Sequence, residues 1–464
     1  MKTVLTLVVS LFSFAALAQN PLIIPPTLSG TTFNLTMQDG AHEFVSGTSA
    51  ASRGFNGDVL GPTLIFEQGD VVDISVENQL NESTTVHWHG MHVPPISDGG
   101  PHTPIAAGAT WNPSFTVMDK ASTMWYHPHV HEQTYKQVHM GLAGFIIIKD
   151  TEEAALDLPR TYGVDDIPVV FQTKVMDGAG QLDSDRSNSG MDHLFVANAT
   201  TDAFVDVPAQ VIRLRLLNGA AERTFNIGLS NGADFHVIAS DGGLLEAPVQ
   251  MNRLQFSQGE RYEILIDLSG LNGNSIDIVN YGTGIPNAVY GTASGNIGMG
   301  GASIPNYASN PLNGADFTML TLNVGASTAN PVVSIPTSLV TVNEWSTANV
   351  DVEREIVMSA LVMGPDGGLN GPFQFNGAPF NMNVVNEEII LNDTEIWTIT
   401  NQSMISHPFH IHDIQFNILE IGGAAPPAHM QGWKDVLLVP PFQATAKFIT
   451  RFEDFVDPDI PYMY

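Results

Sequence analysis

Residues 70–78 read DVVDISVEN, a run rich in valine and isoleucine that starts with aspartate and ends with asparagine. Residues 393–401, DTEIWTITN, keep the same spacing from the first aspartate to the last asparagine, and a histidine pair follows each run within ten residues. A matching run at 211–218, VIRLRLLN, is followed by Phe-Asn-Ile at 225–227 in place of the pair. This repeat predicts three sandwich domains, with metal chemistry in the first and third; the alternative is a similarity of generic strand composition.

Short runs of Val, Ile, Thr and Phe bounded by Gly, Pro, Asn and Asp recur along the chain and predict an all-β protein. Strands are expected at 71–77, 145–149, 211–217, 263–268, 395–400 and 445–452. We expect domains at 19–155, 156–328 and 329–464, of which the first and third carry the metal ligands. A glycine-rich stretch at 281–301 is interpreted as a long loop of the middle domain.

The composition excludes several classes of function. The 464 residues include 17 Lys and Arg against 48 Asp and Glu, a formal charge of −31, and there is no cysteine. Disulfides, thiolate zinc sites, iron–sulfur clusters and cysteine nucleophiles are therefore excluded. The negative charge argues against a nucleic-acid partner, because phosphates attract basic patches.

The N-terminal segment 1–18 is typical of a secretory signal peptide. Lys2 precedes an apolar run, and Ala16-Leu17-Ala18 fits cleavage before Gln19. A membrane anchor is the alternative, but the apolar run is shorter than the roughly 20 residues that span a bilayer. The sequence thus predicts a periplasmic or extracellular protein with no membrane anchor.

Eleven of the 15 histidines fall in two short windows, 87–139 and 407–412. Residues two apart in a strand point to the same face, so three His-x-His pairs each present two neighbouring imidazoles. The six are more ligands than one tetrahedral zinc ion needs, and they suit a cluster of several ions. The paired histidines are His87, His89, His127, His129, His410 and His412.

The remaining histidines are weaker candidates. His407 is expected to serve a separate site near the third pair. We interpret a further four, without counterparts in the repeat, as supporting or surface residues: His92, His102, His131 and His139.

Around these residues the chain resembles the multicopper oxidases, in particular the bacterial laccase-like members. The resemblance covers essentially the whole mature chain and includes three of the family's four copper signatures. It implies three cupredoxin-like Greek-key domains and a trinuclear copper cluster, between the first and third, that reduces dioxygen to water. The motifs are residues 87–90 (HWHG), 98–101 (DGGP), 125–129 (WYHPH), 141–144 (GLAG), 407–412 (HPFHIH) and 432–435 (GWKD).

The resemblance also implies a role for each position. His87 and His410 correspond to ligands of the type 2 copper, and His407 to a ligand of the type 1 copper. Asp98 corresponds to a carboxylate that supports proton delivery; its alternative interpretation is an ordinary turn aspartate between glycines. The paired type 3 coppers, which complete a set of four ions, would be held by His89, His127, His129 and His412.

The fourth signature, His-Cys-His, is missing, and with it the thiolate that a type 1 copper requires. The repeat places that motif directly after Tyr464, so we expect the sequence to be a fragment that is itself inactive. A natural protein without type 1 copper is the alternative.

Three functions are considered. The first is an exported oxidase that takes single electrons from phenols, aromatic amines or metal ions and passes them to dioxygen. The second is a non-enzymatic protein that binds or buffers copper. The third is a structural cupredoxin scaffold without copper. The sequence leaves the reductant and the oligomeric state open.

Overall fold

A computed structural model describes residues 19–185, 190–298 and 302–464. The predicted signal peptide, 1–18, lies outside the described residues. The expectation of an all-β protein is confirmed: strands dominate, and the helices have four to six residues. No helix in the described ranges is long and apolar enough to cross a membrane.

The first unit packs two sheets around a core that includes Phe33, Trp88 and Tyr126. One sheet has the strand order β2-β5-β11-β10-β7, and the other has the order β4-β3-β6-β8, with β9 also on β6. Apart from β1 (Asn20–Pro21), which joins a sheet of the middle unit, the elements in this part of the chain are β2 (Thr27–Ser29), β3 (Thr32–Val45), β4 (Thr48–Phe55), β5 (Thr63–Glu67), β6 (Val71–Asn78), β7 (His87–His89), α1 (Pro95–Asp98), β8 (Thr110–Trp111), β9 (Ser114–Thr116), β10 (Ser122–His127), α2 (Thr134–His139), β11 (Gly144–Lys149) and α3 (Thr151–Ala154).

The middle unit has two six-stranded sheets, β13-β12-β15-β20-β17-β18 and β1-β14-β22-β21-β16-β19. Strand β1 thus comes from the start of the chain and pairs with β14 of this unit. The stretch 281–301 contains two short 3₁₀ turns, Gly282–Gly284 and Ser294–Asn296, and its last residues lie outside the described ranges. The strands are β12 (Asp166–Lys174), β13 (Leu194–Ala197), β14 (Ala203–Pro208), β15 (Val211–Asn218), β16 (Phe225–Leu229), β17 (Phe235–Ser240), β18 (Gly243–Met251), β19 (Leu254–Phe256), β20 (Arg261–Asp267), β21 (Ser275–Tyr281) and β22 (Asp316–Gly325).

The third unit has one five-stranded sheet, β24-β23-β25-β29-β27, and a two-stranded sheet, β26-β28. A cavity of about 690 Å³ lies beside its core and is lined by aromatic residues that include Phe375, Trp397 and Tyr464. Its elements are β23 (Val352–Ala360), α4 (Pro365–Asn370), β24 (Phe373–Phe375), β25 (Thr394–Asn401), β26 (His407–His410), β27 (Phe416–Ile421), β28 (Val436–Val439) and β29 (Ala444–Arg451).

Each of the three units has a buried asparagine with the same hydrogen-bond pattern at the end of a central strand. Asn78, Asn218 and Asn401 each end a strand that pairs in parallel with an earlier strand. Each side chain accepts from the backbone N–H two residues ahead and donates to two carbonyls. A buried amide with these partners fixes the turn that follows the strand.

The six predicted strands correspond to β6, β11, β15, β20, β25 and β29, with ends shifted by one or two residues. The boundaries at 155 and 328 stay a prediction.

The first two units also meet through buried charges. Glu263 of β20 accepts from Arg213 and from Arg215, and it also accepts from the hydroxyl of Thr123 in β10 at 2.6 Å. Arg215 in turn makes two bonds with Asp166, of 2.7 and 2.8 Å. This network joins the strand that carries His127 to the middle unit.

Candidate metal centre

The six paired histidines meet between the first and third units. The rings of His87 and His412 stack with centroids 3.8 Å apart, and those of His89 and His410 stack at the same distance. His129 lies 4.9 Å from His412, also between ring centroids. The structure therefore brings together two pairs from one unit and one pair from another.

Strand register explains how the two pairs of the first unit converge. Strands β7 and β10 are antiparallel, with His87 opposite His127. Ring centroids of these two residues are 5.5 Å apart, and His129 lies 5.6 Å from His87. His129 and His412 lie just beyond the ends of β10 and β26. Each second histidine stays near its partner even where the strand has ended.

The nitrogen atoms of the cluster are arranged for metal binding. Nδ1 of His87 donates to the carbonyl of Asp98 at 3.0 Å, and Nδ1 of His410 donates to the carbonyl of Asp435 at 2.8 Å. His127 donates likewise to Pro128. Because Nδ1 carries the hydrogen, Nε2 presents a lone pair, yet Nε2 of each of these three histidines is buried without a hydrogen-bond partner. Such orphaned acceptors fit metal ligands held by a hydrogen bond on the other nitrogen.

Burial keeps five of the six imidazoles in the neutral form that binds metal. It lowers the pKa of His129 and of His410 to about 4. The pKa values of His89, His127 and His412 are held well below the usual 6.5, again mainly by burial. These five imidazoles are therefore uncharged at neutral pH and can accept cations without releasing protons.

Asp98 lies inside this cluster. Its Oδ2 accepts from Nδ1 of His412 at 2.9 Å, and its Oδ1 lies 3.3 Å from Nδ1 of His87. Burial opposes its ionisation, but the two imidazoles outweigh burial and hold its pKa well below the usual range. Gly99 follows with a φ of 76°, and a Cβ there would come within 1.7 Å of the carbonyl oxygen of Val86. The glycine turn thus allows the carboxylate to reach two histidines of the cluster.

His407 stands apart from the six. Its ring packs against Phe373 at 4.4 Å, its Nε2 is buried without a partner, and burial lowers its pKa to about 4. Among the described residues, no group of three or more neighbouring His, Asp or Glu side chains includes His407.

The four supporting candidates also lie outside the cluster. His92 contacts Asp413 at 2.9 Å and Asp454 at 3.1 Å; burial opposes its charge, but the carboxylates raise its pKa to about 9. His102 donates to the carbonyl of Met382. His131 packs on Phe380, and His139 is buried beside Val175.

Two residues at the centre were not predicted. Asp435 lies 3.3 Å from Nε2 of His89 through its carboxylate and accepts from His410 through its carbonyl. Arg261, from the middle unit, binds the carboxylate of Asp435. The GWKD motif contains Asp435 and could have drawn attention to it, whereas nothing in the sequence around Arg261 points to a metal site.

Models of multicopper oxidase domains match residues 36–153, 125–294 and 349–454. A multicopper oxidase of Staphylococcus epidermidis is 31% identical over 418 residues, which cover 89% of this chain and 80% of the relative. The chain belongs to the multicopper oxidase family.

Other relatives show the range of this multicopper oxidase family. The cell division protein FtsP of Escherichia coli is 31% identical over 437 residues, covering 93% of this chain and 86% of FtsP. The solved structure of a laccase-like multi-copper oxidase from Ochrobactrum sp., described as active towards lignin model compounds, has a TM-score of 0.81 and 33% identity, with 95% of each chain covered. A laccase from Pediococcus acidilactici has a TM-score of 0.78 and 29% identity, with 94% and 88% covered.

Proposed function

We propose that this protein is an exported oxidase that couples one-electron oxidation of a small reductant to the four-electron reduction of dioxygen to water. The observation that carries the proposal is the convergence of six imidazoles at one interface, where Nε2 of His87, His127 and His410 is buried without a hydrogen-bond partner. Phenols, aromatic amines and metal ions are the candidate reductants. Export to the periplasm or the exterior rests on the segment 1–18.

Copper is the metal that the proposal assigns to this centre. His87 and His410 would hold the type 2 ion, and the remaining four cluster histidines would hold the type 3 pair. Copper cycles between Cu(I) and Cu(II), so the bound ions supply one-electron chemistry. His87, His89 and His410 place one nitrogen each within 4.8 Å of one another, so the ligands assigned to the type 2 ion lie close to one assigned to the type 3 pair.

Asp98 would orient His412 through its carboxylate and His87 through its carbonyl, each of which accepts from Nδ1 of the imidazole. The reduction of each dioxygen consumes four protons. An ionised carboxylate at this position could accept protons and pass them on to dioxygen. We assign Asp98 both functions.

A second function has its own supporting observation. The 464 residues contain no cysteine, so this chain has no thiolate to place beside His407. A chain without a type 1 copper would bind copper at the six histidines without accepting electrons from a reductant. The copper-free scaffold, the third function, is less well supported, because it leaves the orphaned imidazole nitrogens of the cluster without a purpose.

One experiment separates the three. The 464-residue chain is loaded with copper, and its metal content, visible absorption and oxygen consumption with a phenolic dye are measured. Bound copper with neither thiolate-to-copper absorption nor oxygen consumption is the result expected of this chain, and it supports the six-histidine centre. Restored turnover after fusion of a His-Cys-His segment would support the oxidase over the copper buffer. A folded chain that retains no copper would contradict both.

A further inference from the structure

We propose that Arg261 and Asp435 are positioning residues that hold His89 and His410 in place for copper. The inference rests on the proposed copper centre and adds a role for the middle unit, which contributes none of the predicted ligands. His89 belongs to the first unit and His410 to the third. Their rings stack at 3.8 Å with planes only 7° apart, so both must be held accurately.

Asp435 contacts one ligand from each unit. Its Oδ1 lies 3.3 Å from Nε2 of His89, and its carbonyl accepts from Nδ1 of His410 at 2.8 Å. A carboxylate or carbonyl at the second nitrogen of a ligating histidine fixes the orientation and the tautomer of the ring. Asp435 is therefore placed to orient both rings.

Arg261 holds Asp435 through a two-pronged ion pair. Nη1 donates to Oδ1 at 2.6 Å and Nη2 donates to Oδ2 at 2.5 Å, and neither side chain is exposed to solvent. The remaining N–H groups donate to the carbonyls of Gly259, Asp241 and Thr123. All five donors of the guanidinium are used, and they reach all three units. This planar fork cannot be reproduced by a lysine.

Asp241 holds the backbone of both Arg261 and Asp435 in place. Its Oδ1 accepts from the N–H of Arg261 at 2.7 Å, and its Oδ2 lies 3.3 and 3.2 Å from the N–H groups of Asp435 and Val436. The peptide that directs the carbonyl of Asp435 at His410 is thus held by the middle unit as well.

An independent feature of the first unit fits the same assignment. Gly90, directly after His89, has a φ of 95°, and a Cβ there would lie 2.6 Å from both Arg261 Nη2 and Asp435 Oδ2. The ion pair packs so closely against the backbone of the ligand strand that a Cβ at this position would force it to move. The glycine of the HWHG motif thus makes room for an arginine of another unit.

A purely structural role would also keep Arg261 and Asp435 buried and paired, so the test compares them with another buried interdomain pair. Arg215 bonds Asp166 and Thr123 but contacts none of the six histidines. Asp435→Asn, Arg261→Lys and the control Arg215→Lys are prepared in the full 464-residue chain, and folding is checked by circular dichroism. Cu(II) affinity is measured by competition with a chelator, and the Cu(II) EPR spectrum is recorded.

Asp435→Asn and Arg261→Lys are expected to weaken copper binding by about 10–100-fold and to change the EPR spectrum. Arg215→Lys is expected to change neither the copper affinity nor the EPR spectrum, even if it lowers the melting temperature as much as the two test substitutions do. If a folded Asp435→Asn or Arg261→Lys variant keeps the wild-type copper affinity and EPR spectrum, the positioning role is overturned. The proposed function would not be affected by that result. Equal loss of affinity in the control would also overturn the positioning role. A wild-type chain that binds no copper would overturn both proposals.

Discussion

Asp98 Oδ2 accepts a hydrogen bond of 2.9 Å from Nδ1 of His412, although the two residues are 314 positions apart. The same carboxylate approaches His87, whose ring stacks on that of His412. One side chain of the first unit thus sets the position of a histidine of the third. Removing its charge should disturb the centre more than the fold.

Asp98→Asn should lower copper affinity by about 10–100-fold, because the amide is a weaker acceptor for His412 and carries no negative charge beside His87. Chelator competition on the folded chain measures this change. The matched control is Asp157→Asn, at an exposed aspartate, which should bind copper like the wild type. Unchanged affinity in Asp98→Asn would show that the carboxylate does not support the ligands.

The separation of His407 from the other six gives a prediction about copper content. His410→Gln removes a ligand from the cluster and should reduce the copper retained by the 464-residue chain. His407→Gln should leave the retained copper unchanged, because no group of three or more potential ligands among the described residues includes His407. Metal analysis after dialysis against a weak chelator tests both, and equal losses would place His407 in the same centre.

Gly90→Ala should lower the free energy of unfolding more than Gly69→Ala, a substitution at a glycine of similar conformation that has no close neighbours. Gly69 has a φ of 93° with no atom near its Cβ position, whereas Gly90 has a φ of 95° and faces Arg261 and Asp435. Both changes should cost about 1–3 kcal/mol through backbone strain. Gly90→Ala should add a packing cost of about 1–3 kcal/mol. Denaturant unfolding measures the difference, and equal losses would contradict the close approach of the ion pair.

Glu263 should make the protein sensitive to acid. Burial opposes its ionisation, but Arg213 and Arg215 outweigh burial and lower its pKa to about 2 from 4.5. The unfolded chain therefore binds a proton that the folded chain does not, and the stabilisation present above pH 4.5 is lost as the pH falls towards 2.

Glu263→Gln should remove this part of the pH dependence. The substitution leaves two buried arginines short of a partner and should cost about 3–5 kcal/mol at neutral pH. Unfolding free energy against pH tests it, with Glu246→Gln at an exposed position as the control. A Glu263→Gln profile parallel to that of the wild type would contradict the prediction.

Lys174 should make the stability of the protein depend on pH in the alkaline range. Burial lowers its pKa from 10.5 to about 7, and its ammonium donates to the carbonyl of His139. Between pH 7 and 10.5 the unfolded chain holds a proton that the folded chain has lost, so stability should rise with pH in this window. Lys174→Met should flatten the rise, while Lys149→Met, at an exposed strand end, should not. Thermal melts across the window provide the measurement.

Much of the architecture could be predicted because it follows local rules. Apolar runs between turn residues marked the six strands, and equal spacing from aspartate to asparagine marked the repeat. The repeat has a physical basis that the spacing alone did not reveal. Asn78, Asn218 and Asn401 each satisfy buried backbone groups at the same point of their units.

Other features depended on chain segments that meet only after folding. Strand β1 joins the sheet of the middle unit although it starts the segment predicted as the first domain, because its partner β14 offers a free edge there. His92 follows the HWHG motif closely, yet it lies outside the cluster between Asp413 and Asp454. Proximity in sequence to the ligands was therefore not a guide to membership of the centre.

The sequence by itself determined that the protein is built of β-strands, that it has three related units and that three histidine pairs are candidate metal ligands. These properties repeat at short, regular intervals and are visible in one dimension. Only the tertiary structure decided that Arg261 and Asp435 support the ligands. They are 174 positions apart. A buried ion pair between units leaves no periodic trace, because its partners are selected by packing across the interface.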